Sequence, residues 1–323
     1  FHTKKNTRNP EGAMKLLVTG GAGFIGSNFV RRTLLTRPHV EISVFDKFTY
    51  AADSKNLDGI NNQIQVIQGD IADQSAIEKV ISDVDVVVNF AAETHNDNSL
   101  SNPKVFIDAN INGTFTLLEA VRKFSKRLHH VSTDEVFGDL PLDSQSEFDI
   151  NSPYNPSSPY SASKAAADHL VRAWIRSFGV EATVSNCSNN FGPYQHREKL
   201  IPRMISLATQ GIKPKLYGDG RNIRDWINVE DHVEGIWAVL ERGEIGQTYL
   251  FGGKERLSNI QVCQIVLTEL GLPEDFIEFV PDRPGHDLRY ALNWAGSKEQ
   301  LNWSPKGPGV HDSMAELVRF YSA

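Results

Sequence analysis

The sequence predicts an α/β fold: a Rossmann-type, doubly wound parallel sheet with a smaller C-terminal α/β substrate-binding region. Three observations carry that prediction. From Met14 onward, short and almost wholly apolar runs alternate with amphipathic stretches, as expected for parallel strands buried under helices on both faces. A glycine-rich turn, Thr19-Gly20-Gly21-Ala22-Gly23-Phe24-Ile25-Gly26, separates the first apolar run from the first helical one. Beyond Gly192 the rhythm weakens into Gly- and Pro-punctuated mixed elements, which marks a second region.

The elements follow in order. Lys15–Thr19 reads as a buried strand and Phe24 to about Leu35 as a helix. Apolar runs at 42–45, 64–67 and 85–90 are the second to fourth strands, with helices near 73–82 and 103–124. Leu128–Ser132 is a fifth strand. A turn-rich stretch from 139 to 159 contains Pro141, Pro153, Pro156 and Pro159, and leads into a helix at 160–178. Residues 182–185 are a sixth strand. The division expected is 14–190 for a dinucleotide-binding domain with the reactive groups, and 191–323 mainly for the second, with some chain crossing back. Residues 1–13 (FHTKKNTRNPEGA) are polar and unpatterned, and read as an expression tag or disordered tail.

Composition narrows the classes. The chain has 323 residues, 40% hydrophobic and 23% charged, ordinary values for a globular protein. Its net charge is −7; without Lys4, Lys5, Arg8 and Glu11 it is 30 basic against 39 acidic residues, or −9. A general nucleic-acid surface has no support at that charge, and no stretch reads as a membrane span. Cys187 and Cys263 are too few for a disulfide framework and fit a reducing cytoplasm. The histidines show no paired metal-ligand spacing, so no metal site is expected.

The glycines at 20, 23 and 26 permit a tight turn and close backbone approach, leaving a helix N-terminus to meet a pyrophosphate. A purely structural turn is the competing reading. Asp46, 20 residues after Gly26 at the end of the second strand, suits a ribose diol and opposes a 2′-phosphate. NAD is therefore expected over NADP, with neighbouring Lys47 weighing the other way.

Tyr160 and Lys164 share a helix face at i,i+4. An ammonium so placed is expected to lower the phenol from its usual ~10 and make it a proton acceptor. The fifth strand ends in Ser132-Thr133-Asp134-Glu135, at the edge where open α/β sheets bind ligands. Thr133 can donate beside Tyr160. Asp134 and Glu135 read either as reactive carboxylates or as a solvated turn with a helix cap. Asn186, Asn189 and Asn190 supply neutral donors and acceptors, and Arg224 and Arg283 are either phosphate ligands or surface ion pairs.

Taken together, these segments resemble the extended short-chain dehydrogenase/reductase family, and within it the dTDP-glucose 4,6-dehydratases. The resemblance runs from VTGGAGFIGSNF through STDEVFGDL and NPSSPYSASKAAADHLVRAW to LYGDGRNIRDWINVEDH and DRPGHDLRYAL. It implies that Phe24 and Ile25 line the pyrophosphate, that Asp46, Lys47, Phe48 and Thr49 hold the adenosine ribose, and that Asp70 and Ile71 hold the adenine. Phe90, Ala91, Ala92, Glu93 and Thr94 would follow the cofactor to its nicotinamide end, where Tyr160, Lys164 and Asn190 complete the contacts. Substrate contacts would be Thr94, Thr133, Asn189, Lys199, Leu200, Lys215, Leu216, Tyr217, Arg224, Asn259, Asp282, Arg283, Pro284, Gly285 and His286. The implied reaction is dehydration of dTDP-glucose, with Tyr160, Lys164 and Thr133 serving C4 oxidation, Glu135 as C5 base and Asp134 as C6 acid. A homodimer through the helices at 103–124 and 160–178 is also implied. A UDP-hexose 4-epimerase, another nucleotide-sugar dehydratase and a non-catalytic NAD-binding protein are the alternatives. The sequence departs from the family at Phe137 and Phe191 (two tyrosine hydroxyls missing near the site), at Asn96 and Asn98 (for a more usual Val and Arg), and at Ala109 (for threonine).

Overall fold

A computed structural model describes residues 13–322. Apart from Ala13, the expected tail lies outside the described residues. In chain order the strands are β1 (Lys15–Thr19), β2 (Glu41–Asp46), β3 (Gln65–Gln68), β4 (Val86–Asn89), β5 (Arg127–Thr133), β6 (Ala182–Cys187), β7 (Asn189–Phe191), β8 (Lys215–Tyr217), β9 (Ile223–Asn228), β10 (Thr248–Phe251), β11 (Glu255–Ser258) and β12 (Glu278–Val280). Seven of them form one sheet in the order β3-β2-β1-β4-β5-β6-β10. Every pair in it is parallel. The chain winds outward from β1 to β3 and then starts again at β4. That reversal opens a crevice at the carboxyl ends of β1 and β4.

Alternation along β1 shows how the sheet is covered. Leu16 and Val18 join one fully buried cluster with Phe29, Val30 and Trp237, whereas Leu17 joins another with Leu117, Val121 and Val171. Successive side chains leave opposite faces, so a strand apolar throughout needs helices on both sides. On the first face, the helix Phe24–Thr36 meets the helix Val229–Arg242, with Trp237 stacked on Phe29 at 5.6 Å. That second helix and β10 come from beyond residue 190, so the chain crosses back to finish the sheet.

A third apolar cluster, including Phe191, Met204, Val262, Val266 and Met314, builds the other body. It carries the sheet β11-β9-β7 and the pair β12-β8. Two features depart from the expected elements. The helix Asn96–Ser101 was not anticipated, and the run 103–124 contains a π-helical segment, Ile107–Asn112, before Gly113–Phe124. A π turn rotates side chains out of the regular helical phase. Here Asn110 turns inward, exchanging bonds with the Glu93 backbone at 2.8 and 3.0 Å and donating to Ser163 Oγ at 2.8 Å.

Candidate active site

The glycine turn makes the floor of the cleft. Gly20 has φ +70°, and a Cβ there would lie 2.6 Å from Ala91 N; a Cβ on Gly26 would lie 2.2 Å from Gly20 O. Gly23 is less constrained, its nearest contact being 3.3 Å. The helix starting at Phe24 has no side-chain cap, so its first N–H groups face the crevice unsatisfied by the chain. Asp46 is buried at the end of β2, where its two oxygens accept from Ala22 N at 2.9 Å and Phe48 N at 2.8 Å. Burial nevertheless pushes its carboxyl up from the ordinary value. Lys47 is paired with Asp70 at 2.7 Å, which engages the cation that weighed against NAD. Backbone with no room for a Cβ, an open helix N-terminus and a buried acceptor fit the pyrophosphate and ribose of NAD.

From that floor the cleft runs past Thr49, Asp70, Ile71 and the stretch Phe90–Thr94 to Thr133, Asp134, Glu135, Tyr160, Lys164, Asn189, Asn190 and Lys199. Phe48 is the exception among the expected cofactor residues, since its side chain packs against the first core cluster.

At the far end, Thr133 caps a single 3-10 turn, Asp134–Phe137, by accepting from Glu135 N at 3.3 Å. The cap of the bland reading is present but the solvation is not: Asp134 is 2% exposed. Burial, then the charges of Glu135 and Asp225, push its carboxyl well above the ordinary carboxyl value, which favours the protonated form. Its Oδ1 accepts from Thr133 Oγ1 at 3.3 Å, and Oδ2 is buried with no partner. Glu135 is less buried, with Oε2 accepting from Asn96 Nδ2 at 2.9 Å.

The expected effect of Lys164 on Tyr160 is not found. Tyr160 is buried, and burial followed by the Glu135 charge drives its phenol well above the ordinary value. Lys164 shares its helix face but donates to Val131 O at 2.9 Å, and burial lowers its own pKa. The chain alone therefore makes Tyr160 a proton donor.

The expected substrate residues scatter along the rim of the second body. Lys199 Nζ donates to Thr94 O at 3.0 Å. Asp97 receives Arg283 Nη1 at 2.8 Å and the Tyr217 hydroxyl at 3.0 Å, and His286 Nδ1 meets Asp282 Oδ1 at 2.6 Å. Arg224 is no surface ion pair: it is buried, donates to the carbonyls of Asp287 and Ile223 at 2.9 Å, and lies 4.3 Å over the Tyr290 ring. Leu200 opens the helix Leu200–Ala208, and Asn259 opens the helix Asn259–Glu269. Lys215 is exposed on β8, while Leu216 is buried in the third cluster. Pro284 and Gly285 are exposed, with Gly285 at φ +64°. Asn186 donates to Thr133 O at 3.0 Å, bracing the strand end from behind.

Of the departures, Phe137 stacks on Phe148 at 5.2 Å and Phe191 lies in the third cluster, so neither lines the cleft. The missing hydroxyls are core substitutions. Ala109 does line the cleft. Sequence reasoning named Asn96 only as a departure and did not find Asn110 or His232. His232 Nδ1 meets Asn190 Oδ1 at 2.9 Å and so orients a cofactor-side asparagine; only tertiary packing reveals it.

Burial pushes His232 down to about 3, so it is neutral in the fold. Between that value and the ordinary ~6.5, the unfolded chain takes a proton the folded chain refuses. Stability is thus complete above the upper value and falls as pH drops; buried His129 and His130 act in the same direction. The urea midpoint is expected to fall from pH 7 to pH 5, and His232→Gln to flatten that slope by up to ~1.4 kcal/mol per pH unit. Parallel slopes for variant and wild type would show that His232 does not contribute.

A family model described as GDP-mannose 4,6 dehydratase matches residues 17–312. The dTDP-glucose 4,6-dehydratase of Mycolicibacterium smegmatis is 50% identical over 310 residues, covering 96% of this chain and 94% of that one. The chain belongs to this family of sugar-nucleotide 4,6-dehydratases. A dTDP-glucose 4,6-dehydratase from Streptomyces venezuelae, solved with NAD bound, superimposes with a TM-score of 0.92 at 41% identity, over 96% of this chain and 97% of that chain. The UDP-glucose 4-epimerase of Thermus thermophilus, also solved with NAD, reaches 0.86 at 26% identity, over 96% and 99%. This scaffold, solved with NAD, is thus common to a dehydratase and an epimerase.

Proposed function

We infer that the chain is an NAD-dependent hydro-lyase that converts dTDP-glucose to dTDP-4-dehydro-6-deoxyglucose and water. The observation that carries this reading is Asp134, a buried carboxyl with one oxygen unpartnered and its proton affinity raised by burial, set in sequence and space beside Glu135 on the cleft that Tyr160 also lines. One acid–base group suffices to oxidise and re-reduce a single carbon. Removing water across two further carbons needs a base for the C–H and an acid for the departing hydroxyl.

Bound NAD supplies the hydride acceptor for C4, the hydride donor for C6, and a positively charged ring that draws Tyr160 toward phenolate. Tyr160, with Thr133 beside it, takes the C4 hydroxyl proton, and Lys164 fixes the helix against β5 through Val131 O. The new carbonyl acidifies C5, where Glu135 removes the proton. Asp134 protonates the C6 hydroxyl, which leaves as water. Glu135 returns its proton to C5 as C6 is reduced. Tyr160 then holds a proton and Asp134 has lost one, so transfer of a single proton from the first to the second closes the cycle. No cofactor is consumed.

Lys199, Arg224 and Arg283 are the cations assigned to the nucleotide diphosphate, and the first 190 residues mainly to cofactor and acid–base groups. Exposed Val105, Ile107, Phe115 and Phe178, on helices that pack side by side, are assigned to a dimer interface. No helix among the described residues is long and apolar enough to cross a membrane, and the two cysteines are free and buried, in keeping with a reducing cytoplasm.

Turnover with dTDP-glucose, and with UDP-glucose in parallel, tests the reading. The expected product of the first is lighter by one water and carries solvent deuterium at C5, from a protein that sediments as two chains. An isobaric product would make the chain an epimerase instead.

A further inference from the structure

We propose that Asn96 is a positioning residue for the elimination step, holding the Glu135 carboxylate against the head of the helix that carries Tyr160 and Lys164. The inference rests on the reading of Glu135 as the C5 base. Asn96 is half-buried at the first position of the helix Asn96–Ser101. Its amide is used at both ends: Nδ2 donates to Glu135 Oε2 at 2.9 Å, and Oδ1 accepts from Ser158 Oγ at 2.8 Å. Ser158 is the N-cap of the helix Pro159–Phe178, closing a capping box with Ser161. A reversed amide would set its carbonyl against a carboxylate, so the two partners together select one orientation.

Three elements thereby meet in one side chain: the turn after β5, the short helix, and the cap of the helix bearing the redox pair. The consequence is geometric. A glutamate has three torsions to hold, and proton abstraction from carbon demands alignment within a few tenths of an ångström. A fixed donor on Oε2 restrains those torsions and leaves Oε1 to approach C5.

Asn96→Ala and Asn96→Asp, studied in the intact NAD-loaded protein, test the clamp. The KM for dTDP-glucose and the first-turnover reduction of bound nicotinamide are expected to stay near wild type. Deuterium exchange at C5 and product formation are expected to fall about tenfold in Asn96→Ala, the usual worth of a hydrogen bond to a charged group. They should fall further in Asn96→Asp, which keeps the acceptor for Ser158 but turns a carboxylate toward Glu135. If Asn96→Ala does not fold, Asn96→Val, which also removes both bonds, gives the same comparison. Wild-type exchange in Asn96→Ala, or an equal slowing of reduction and exchange, overturns the proposal. The parallel Glu135→Gln variant separates the two failures: if it exchanges C5, the reading of the base has failed; if it is inert while Asn96→Ala is normal, only the clamp has.

Discussion

Glu135→Gln is expected to reduce bound nicotinamide when given dTDP-glucose and then to stall. Product formation should fall by about 10²–10⁴-fold, the usual contribution of a positioned acid–base group. C5 of recovered substrate should carry no solvent deuterium. The variant suits the question because a glutamine oxygen can still accept from Asn96 Nδ2, so the restraint now at 2.9 Å survives while proton affinity is removed. The substitution also removes a negative charge that raises both Asp134 and Tyr160. Both groups should then ionise more readily, which assists C4 oxidation and weakens the C6 acid. Reduction of the nicotinamide at or above the wild-type rate, with elimination lost, is therefore the signature. A variant that releases dehydrated product at the wild-type rate would show that the C5 base lies elsewhere.

Charge and burial differ between the two carboxyls of this short segment. Burial, with the charges of Glu135 and Asp225, raises the proton affinity of Asp134; Glu135, less buried, has an amide donor from Asn96. The 3-10 turn thus gives two adjacent carboxyls different surroundings, one buried and one half-buried with an amide donor. Tyr160 sits in the same negative field and, unaided, holds its proton. Lys164 donates to Val131 O, and no bond from it to Tyr160 is found.

Much of this was legible in the sequence. Apolar strands with period-free burial, the glycine turn, Asp46 at a strand end and the Tyr160–Lys164 spacing are local signals, and local signals survive without coordinates. What was not legible depends on contacts across the chain. Lys164 was expected to serve its i,i+4 neighbour, but a carbonyl 33 residues away claims it. Asn96 stands in the sequence only as a departure from the family pattern and is a bridge between residues 39 and 62 positions away. Phe137 and Phe191 looked like lost site hydroxyls because adjacency to a motif was taken for adjacency to the cleft. The π turn that aims Asn110 at Glu93 has no one-residue signature at all.

Gly26→Ala separates the packing of the glycine turn from its helical context. Alanine is intrinsically the better helix former by ~1 kcal/mol, so propensity alone forecasts a gain at a position inside Phe24–Thr36. The added Cβ would instead meet Gly20 O at 2.2 Å, Gly21 Cα at 2.9 Å and Gly20 C at 3.0 Å, all backbone, and none able to rotate away. The helix must then shift from the turn, and the uncapped N–H groups with it. Overpacking of this kind costs ~1–3 kcal/mol in stability. The loss of NAD affinity should be larger, because Gly20 is itself wedged against Ala91 on the cofactor's path. The comparison is Gly296→Ala, in the helix Ala295–Leu301, where the Cβ meets nothing within 4 Å and propensity should show through undisturbed. Melting temperature and the dissociation constant for NAD, measured on both variants, are expected to move down and weaken for Gly26→Ala. For Gly296→Ala the first should hold or rise and the second stay constant. Wild-type NAD affinity in Gly26→Ala would mean that the turn tolerates a methyl group at the helix start, and that the close approach of helix and turn is not what seats the pyrophosphate.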